Sequence, residues 1–311
     1  MGPMVRRQKG ENISGWLAVD KHEGITAAKV VARVKTVFNA AKAGHGGTLD
    51  PLATGVLPIA LGWATKTVSF AMNGRKVYEF EVLWGARTDT DDRDGVLVEV
   101  SDVRPAKTDI LLALENFTGE IEQIPPDYSA VKVNGKRAYE LARDKQPLSL
   151  AAKPVSVHAF ELIEALSADR ARFRVQCGKG TYVRALVRDL AQSLGTFGHI
   201  TGLRRTQCGP FMESGAISLE KLESLGHKAA ASECLLPIRT VLDDIPALAL
   251  TDEEAHRMTL GQAIALWPVV KRSGTSGFEP GITVQALCGK TLIALAEVEN
   301  GMVRPVRVLN N

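Results

Sequence analysis

No segment constrains this chain more than Gly44-His45-Gly46-Gly47-Thr48-Leu49-Asp50-Pro51. Its glycines rule out a helix interior and its polar residues rule out a buried strand, so the backbone here must form a shaped loop. The chain on either side is regular. Gly15 to Lys21 reads as a short strand, and after Gly24 the hydroxyl of Thr26 is placed to cap a helix on which Val30, Val31, Val34, Val37 and Phe38 recur at helical spacing. Downstream, Lys76 to Trp84 alternates, with Tyr78, Phe80, Val82 and Trp84 on one face of a strand and Val77, Glu79, Glu81 and Leu83 on the other.

Further strands are expected at 128–133, 154–166, 171–177 and 199–207, and helices near 107–117, 137–144 and 218–225. The clearest helix spans Thr181 to Leu194, where Val183, Leu186, Val187, Leu190, Ala191 and Leu194 form one stripe and Gly195 sits where a left-handed residue ends a helix. Its polar side carries Arg184, Arg188, Asp189 and Gln192, which on spacing alone is a solvated face. Strands and helices mix without regular alternation, the pattern of an α+β chain.

A chain of 311 residues exceeds the roughly 100–200 of one domain. Leu235 to Leu250 contains Pro237 and Pro246 and no sustained period, so a boundary is placed there. From Ala263 onward, apolar runs broken by glycines suit a β-barrel of about 60 residues. The expected division is a polar tail at 1–11, a large domain at 12–240 and a small one at 246–309. No apolar run reaches the ~20 residues of a membrane span and the start lacks a secretory apolar stretch, so a cytoplasmic protein is expected.

Cys177, Cys208, Cys234 and Cys288 show no paired spacing and the histidines are dispersed, so no metal is expected. A net charge of +3 permits a nucleic-acid partner without requiring one. Lys132, Lys136, Arg137, Arg143 and Lys145 crowd one segment and Arg204 and Arg205 adjoin in another; taken alone, such clusters are ordinary surface.

Several familiar motifs fail on inspection. A calcium loop starting at Asp89 would have Arg93 at its fifth position, Asp94 where glycine belongs and Val100 where glutamate belongs, so Asp89 to Gly95 reads as a polar turn closing two strands. Gly178-Lys179-Gly180-Thr181 lacks the first glycine and the Ser or Thr of a phosphate loop. What remains is Asp50, followed by Pro51-Leu52-Ala53-Thr54-Gly55, a rigid turn of the kind that can hold a reactive carboxylate, although composition alone makes it an ordinary turn aspartate before proline.

The run Gly44 to Gly55, GHGGTLDPLATG, closely resembles the catalytic motif of the bacterial tRNA pseudouridine synthase B family. Asp20-Lys21, Lys76-Val77-Tyr78, Thr88-Asp89-Thr90-Asp91, Pro125 to Ala130 with Lys132, Gly135 and Arg137, Gly180 to Arg184, and Leu203-Arg204-Arg205 accompany it in family order. The resemblance covers about Gly15 to Leu225. His22 and Glu23 stand where a proline is often found and Gly46 where a threonine is common, departures that touch loop rigidity rather than a chemical group.

The resemblance implies a mixed, largely antiparallel sheet with flanking helices, followed by a PUA-like RNA-binding domain. It implies conversion of uridine to pseudouridine in the T-loop of tRNA, at position 55 of the tRNA, after the base is flipped out, with no cofactor. Asp50 would be the catalytic carboxylate, attacking C1′, adding to C6 or taking the C2′ proton; Arg184 would pair with it, and Tyr78 would stack on the base and help remove the C5 proton. His45 would occupy space near the displaced nucleotides, Tyr182 and Leu203 would line the pocket, Lys21 belongs to the substrate-binding set, and Lys132 and Arg137 would meet T-arm phosphates. A monomer is the default. The rivals are an RNA-binding tRNA-folding factor and a nucleoside hydrolase, which would release free uracil.

Overall fold

The computed structural model describes residues 10–133, 135–144, 146, 148–225, 231–274 and 278–309. Lys145 and residues 1–9 of the expected tail lie outside them. At the edge of that tail, Glu11 donates its amide to the Asn39 carbonyl and bridges Ala40.

In chain order the strands before residue 240 are β1 (Gly15–Lys21), β2 (Ala43–His45), β3 (Thr54–Leu61), β4 (Lys76–Trp84), β5 (Ala86–Thr88), β6 (Leu97–Val100) and β7 (Gly119–Gln123). They continue as β8 (Lys132–Val133), β9 (Lys136–Arg137), β10 (Lys153–Ala165), β11 (Arg170–Cys177), β12 (Gly198–Cys208), β13 (Phe211–Met212) and β14 (Ile217–Ser218). The main sheet runs β14-β1-β3-β12-β4-β11-β10-β7, with β2 on β3 and β13 on β12. Among the described strands of this sheet only β1–β14 and β3–β12 pair in parallel, so the sheet is mixed and largely antiparallel, as expected.

The strand β12 is the pivot. It pairs with β3 on one side, Arg204 opposite Thr54 and Arg205 opposite Gly55, and with β4 on the other, Leu203 opposite Phe80 and Arg205 opposite Tyr78. Its two neighbours carry the end of the glycine loop and Tyr78, so this register brings segments far apart in sequence to one line across the sheet.

Packing explains the elements. Thr26 accepts the Lys29 amide as N-cap of the helix Ala27–Val37, whose Val30 and Val34 are fully buried. The helix Val183–Ser193 buries Leu186, Val187, Leu190 and Ala191 in the same core as Phe80, Trp84, Phe160 and Phe173, and the Phe80 and Phe173 rings stack with centroids 5.7 Å apart. Each such Leu contributes roughly 1.5–3 kcal/mol by burial. The sequence pattern does not announce β3: Leu57, Ile59 and Leu61 enter the large core while Val56 and Ala60 enter a second one with Trp16 and Phe211, so both faces are apolar and alternation vanishes. The strand expected at 128–133 shrinks to β8, which forms a two-stranded hairpin with β9. Asp89 to Gly95 does close two strands, β5 and β6.

Beyond residue 245, β15 (Ala247–Ala249), β16 (Ile264–Ala265), β17 (Thr283–Cys288), β18 (Thr291–Glu299) and β19 (Met302–Val308) form a five-stranded sheet in the order β15-β17-β18-β19-β16. The helices Asp252–Thr259 and Leu266–Ser273 accompany it. Leu242, Leu292, Leu295 and Leu309 pack with Trp63 and Phe70, and Lys66 donates to the Val308 carbonyl, which fastens this sheet to the first body. Among the described residues no helix is long and apolar enough to cross a membrane.

Candidate active site

Asp50 lies in the turn between β2 and β3, where the Ala53 amide donates to its carbonyl. Its carboxylate meets the Arg184 guanidinium at 2.9 Å; the Arg184 side chain retains 5% of its exposure and Asp50 retains 39%. The carboxylate is therefore held beside a buried cation by a close ion pair while its own side chain stays partly exposed. Arg184 is itself immobilised, donating Nη1 to the Thr90 carbonyl at 2.8 Å and Nη2 to the Tyr128 carbonyl at 3.0 Å, with the Asp92 carboxylate 3.7 Å from Nε.

Two buried cations hold the loop. The Lys21 ammonium donates to the carbonyls of His22, Ile25 and Pro51 at 3.0, 2.9 and 3.1 Å. Burial pulls Lys21 down to about 8, with the nearby Asp50 charge opposing the shift. Arg205, 1% exposed, donates Nε to the Val56 carbonyl at 2.8 Å, Nη1 to Thr48 at 3.3 Å and Nη2 to Gly47 at 3.1 Å. Gly55, at φ +94°, brings β3 against the backbone of Arg205 so closely that a Cβ would sit 3.0 Å from both its carbonyl carbon and its amide nitrogen.

The other expected residues fall into two groups. Tyr78 lies near Arg205, whose Cζ is 6.0 Å from the ring centroid; burial pushes the phenol up to about 12, against the pull of that guanidinium. His45, at the end of β2, has a buried Nδ1 with no hydrogen-bond partner, and burial followed by the Arg205 charge holds its pKa below the usual imidazole range. Tyr182 precedes the first turn of the helix that carries Arg184, and burial raises its phenol. Leu203 is 9% exposed on β12, with its carbonyl accepting from the Thr54 hydroxyl. Lys132 and Arg137 stand apart from this cluster, exposed and cross-paired on the β8–β9 hairpin. Ala138 and Tyr139 donate to Val131 and Ser129, which ties the hairpin to the Tyr128 segment that Arg184 grips.

Three features escaped the sequence reading. Gln123, 2% exposed, accepts the Tyr182 amide at 2.8 Å and donates to the Tyr182 carbonyl at 3.1 Å, pinning a helix start that has no side-chain cap of its own. The acidic turn is more than a turn: Asp91 and Asp92 are buried, and Asp91, at φ +58°, lies 3.5 Å from Arg188 and 3.7 Å from Arg87. Burial pushes the Asp91 carboxyl up to about 6 despite these arginines. Arg204 is no free cation, because it forms two 3.0 Å bonds to Asp20 and another to Glu213. Its pairing with Asp20 joins two motifs whose adjacency nothing in the linear spacing reveals.

The arrangement offers a half-exposed carboxylate paired with a buried, immobilised arginine on a loop that two buried cations hold, suited to covalent or proton-transfer chemistry. A family model described as "TruB family pseudouridylate synthase (N terminal domain)" matches residues 35–183, and one for the "tRNA pseudouridylate synthase B C-terminal domain" matches 184–243. The tRNA pseudouridine synthase B of Rhodospirillum rubrum is 52% identical over 99% of this chain and 100% of its own length, and that of Caulobacter sp. strain K31 is 52% identical over 98% and 99%. Among solved structures, a Cbf5-Nop10-Gar1 complex matches with TM-score 0.72 at 27% identity, covering 95% of this chain and 84% of that one. An H/ACA RNP bound to a substrate RNA containing 2′-deoxyuridine matches with TM-score 0.71 at 25% identity, over 96% and 85%.

Proposed function

The chain belongs to the TruB family of pseudouridylate synthases and converts uridine to pseudouridine in tRNA, and we propose that it does so at the T-loop uridine, position 55 of the tRNA, with Asp50 as the catalytic carboxylate. The observation that carries this assignment is the 2.9 Å pair between half-open Asp50 and buried Arg184. The reaction breaks the N1–C1′ bond, turns the uracil, forms the C5–C1′ bond, removes the C5 proton and returns a proton to N1. Product and substrate are isomers, so the net change calls for no redox partner. Attack at C1′, addition to C6 and removal of the C2′ proton all need one carboxylate held at the junction of base and ribose.

The base must leave the T-loop stack first, at a cost of roughly a few kcal/mol. His45 takes the space beside it, Tyr78 stacks on it, and Tyr182 and Leu203 wall the pocket. Lys21 keeps the carboxylate loop in place. Lys132 and Arg137, exposed on their hairpin, meet T-arm phosphates. Residues 246–309 are read as a PUA-like domain that adds RNA contact.

Tritium release from tRNA labelled at uridine C5 tests the reading. Wild type should release tritium only when the T-loop uridine is present, and Asp50→Asn should bind tRNA without release. Tyr78→Phe should bind normally and turn over slowly. Release by Asp50→Asn at the wild-type rate would reject the catalytic assignment, and free uracil as product would make the chain a hydrolase.

A further inference from the structure

We propose that Arg205 is a positioning residue for the isomerisation, fixing the Asp50 loop and the Tyr78 ring relative to each other from the middle of β12. This rests on the roles assigned above to Asp50 and Tyr78. Arg205 sits opposite Gly55 on one neighbouring strand and opposite Tyr78 on the other, so a single position touches both halves of the site. Its three hydrogen bonds clasp the carbonyls of Gly47 and Thr48 before Asp50 and of Val56 after it. The same guanidinium lies 6.0 Å from the centre of the Tyr78 ring.

Cohesion of the sheet does not account for this choice. An arginine 1% exposed carries a large desolvation cost that apolar packing at the pivot would avoid. Its three hydrogen bonds leave three different nitrogens of a planar fork for two carbonyls of the loop and one on β3; a lysine would gather its donors on a single ammonium, with different directions. Gly55 is the complement, because its missing side chain lets β3 close onto the Arg205 backbone. The positive charge also bears on both aromatic neighbours, opposing the effect of burial on Tyr78 and adding to it on His45.

The test uses the full chain with enzyme in excess over C5-labelled tRNA, so that release reports the bound complex. Wild type, Arg205→Lys, Arg205→Gln, Tyr78→Phe and the two double variants are compared, with tRNA affinity from filter binding and folded fraction from urea unfolding. Both Arg205 variants should bind tRNA within a few-fold of wild type yet release tritium on the order of 10²-fold more slowly per folded, bound enzyme, the scale of a small misplacement of reacting groups. In the Tyr78→Phe background the same substitutions should cost much less, because the two residues act through one another.

Wild-type rates in either Arg205 variant, losses that simply multiply with Tyr78→Phe, or a deficit confined to tRNA affinity would overturn the proposal. So would failure of both variants to fold, which would assign Arg205 to the core alone. Absence of release by wild type would instead reject the function itself.

Discussion

Gly55→Ala should destabilise the chain by about 3 kcal/mol: a positive φ costs an L residue roughly 1–2 kcal/mol, overpacking adds about 1–3, and the stiffer unfolded chain offsets about 0.4–1. The native φ is +94°, and a methyl would press on the carbonyl carbon and amide nitrogen of Arg205 at 3.0 Å. Neither contact is the end of a flexible side chain, so relief requires β3 and β12 to part, which also pulls Val56 away from the guanidinium. Gly44→Ala on β2, the strand paired with β3, is the control, since a Cβ there meets nothing within 4 Å. It should lie within about 1 kcal/mol of wild type and be slightly stabilising through the unfolded state. Urea unfolding followed by tryptophan fluorescence gives both free energies, and tritium release gives the catalytic consequence. Equal midpoints for the two variants would show that the close approach at Gly55 does not govern the site.

Gln123→Leu keeps the volume but removes both bonds to Tyr182, so stability should fall by about 2–3 kcal/mol and turnover should slow as the helix start that carries Arg184 loosens; an unchanged urea midpoint contradicts this. Lys21 titrates near 8 in the fold against 10.5 when unfolded, so above pH 8 the unfolded chain holds a proton that the native one has released, and stability rises with pH until about 10.5. The difference in unfolding free energy between wild type and Lys21→Met should therefore grow by about 1 kcal/mol from pH 7.5 to 9; a flat difference would place Lys21 in ordinary solvent. Lys132→Ala and Arg137→Ala should each weaken tRNA binding and flatten the slope of log affinity against log salt by roughly 0.7–0.9, with the rate on saturating tRNA unaltered. An unchanged slope would take the hairpin off the phosphates.

Local chemistry was legible where one segment decides its own structure. The Thr26 cap, the alternation of β4 and the stripe of Val183 to Leu194 each depend on neighbours within a few residues, and each forms as read. The strand β3 was hidden because its two faces serve two cores, which erases the period by which a strand is recognised. Gln123 was hidden because its partner, Tyr182, lies 59 residues away. Of the candidate site, Asp50 and Arg184 were found through a motif, and their separation of 2.9 Å follows from the fold rather than from any spacing in the chain.

The arginines show why charge patterns mislead. Arg184 and Arg188 stand one step from Val183 and Val187 on the helix, at the edge of the apolar stripe, where periodicity assigns them to solvent. A long aliphatic stem lets a guanidinium leave that edge along apolar surface and end where its donors are satisfied. Here the acidic turn supplies part of that setting: the Thr90 carbonyl accepts from Arg184, and the Asp92 and Asp91 carboxylates face Arg184 and Arg188. Two segments that each look solvated, one basic and one acidic, therefore face each other beside Asp50. That same exchange leaves Arg184 stationary beside Asp50, and a stationary cation is what turns a half-exposed turn aspartate into an aimed one.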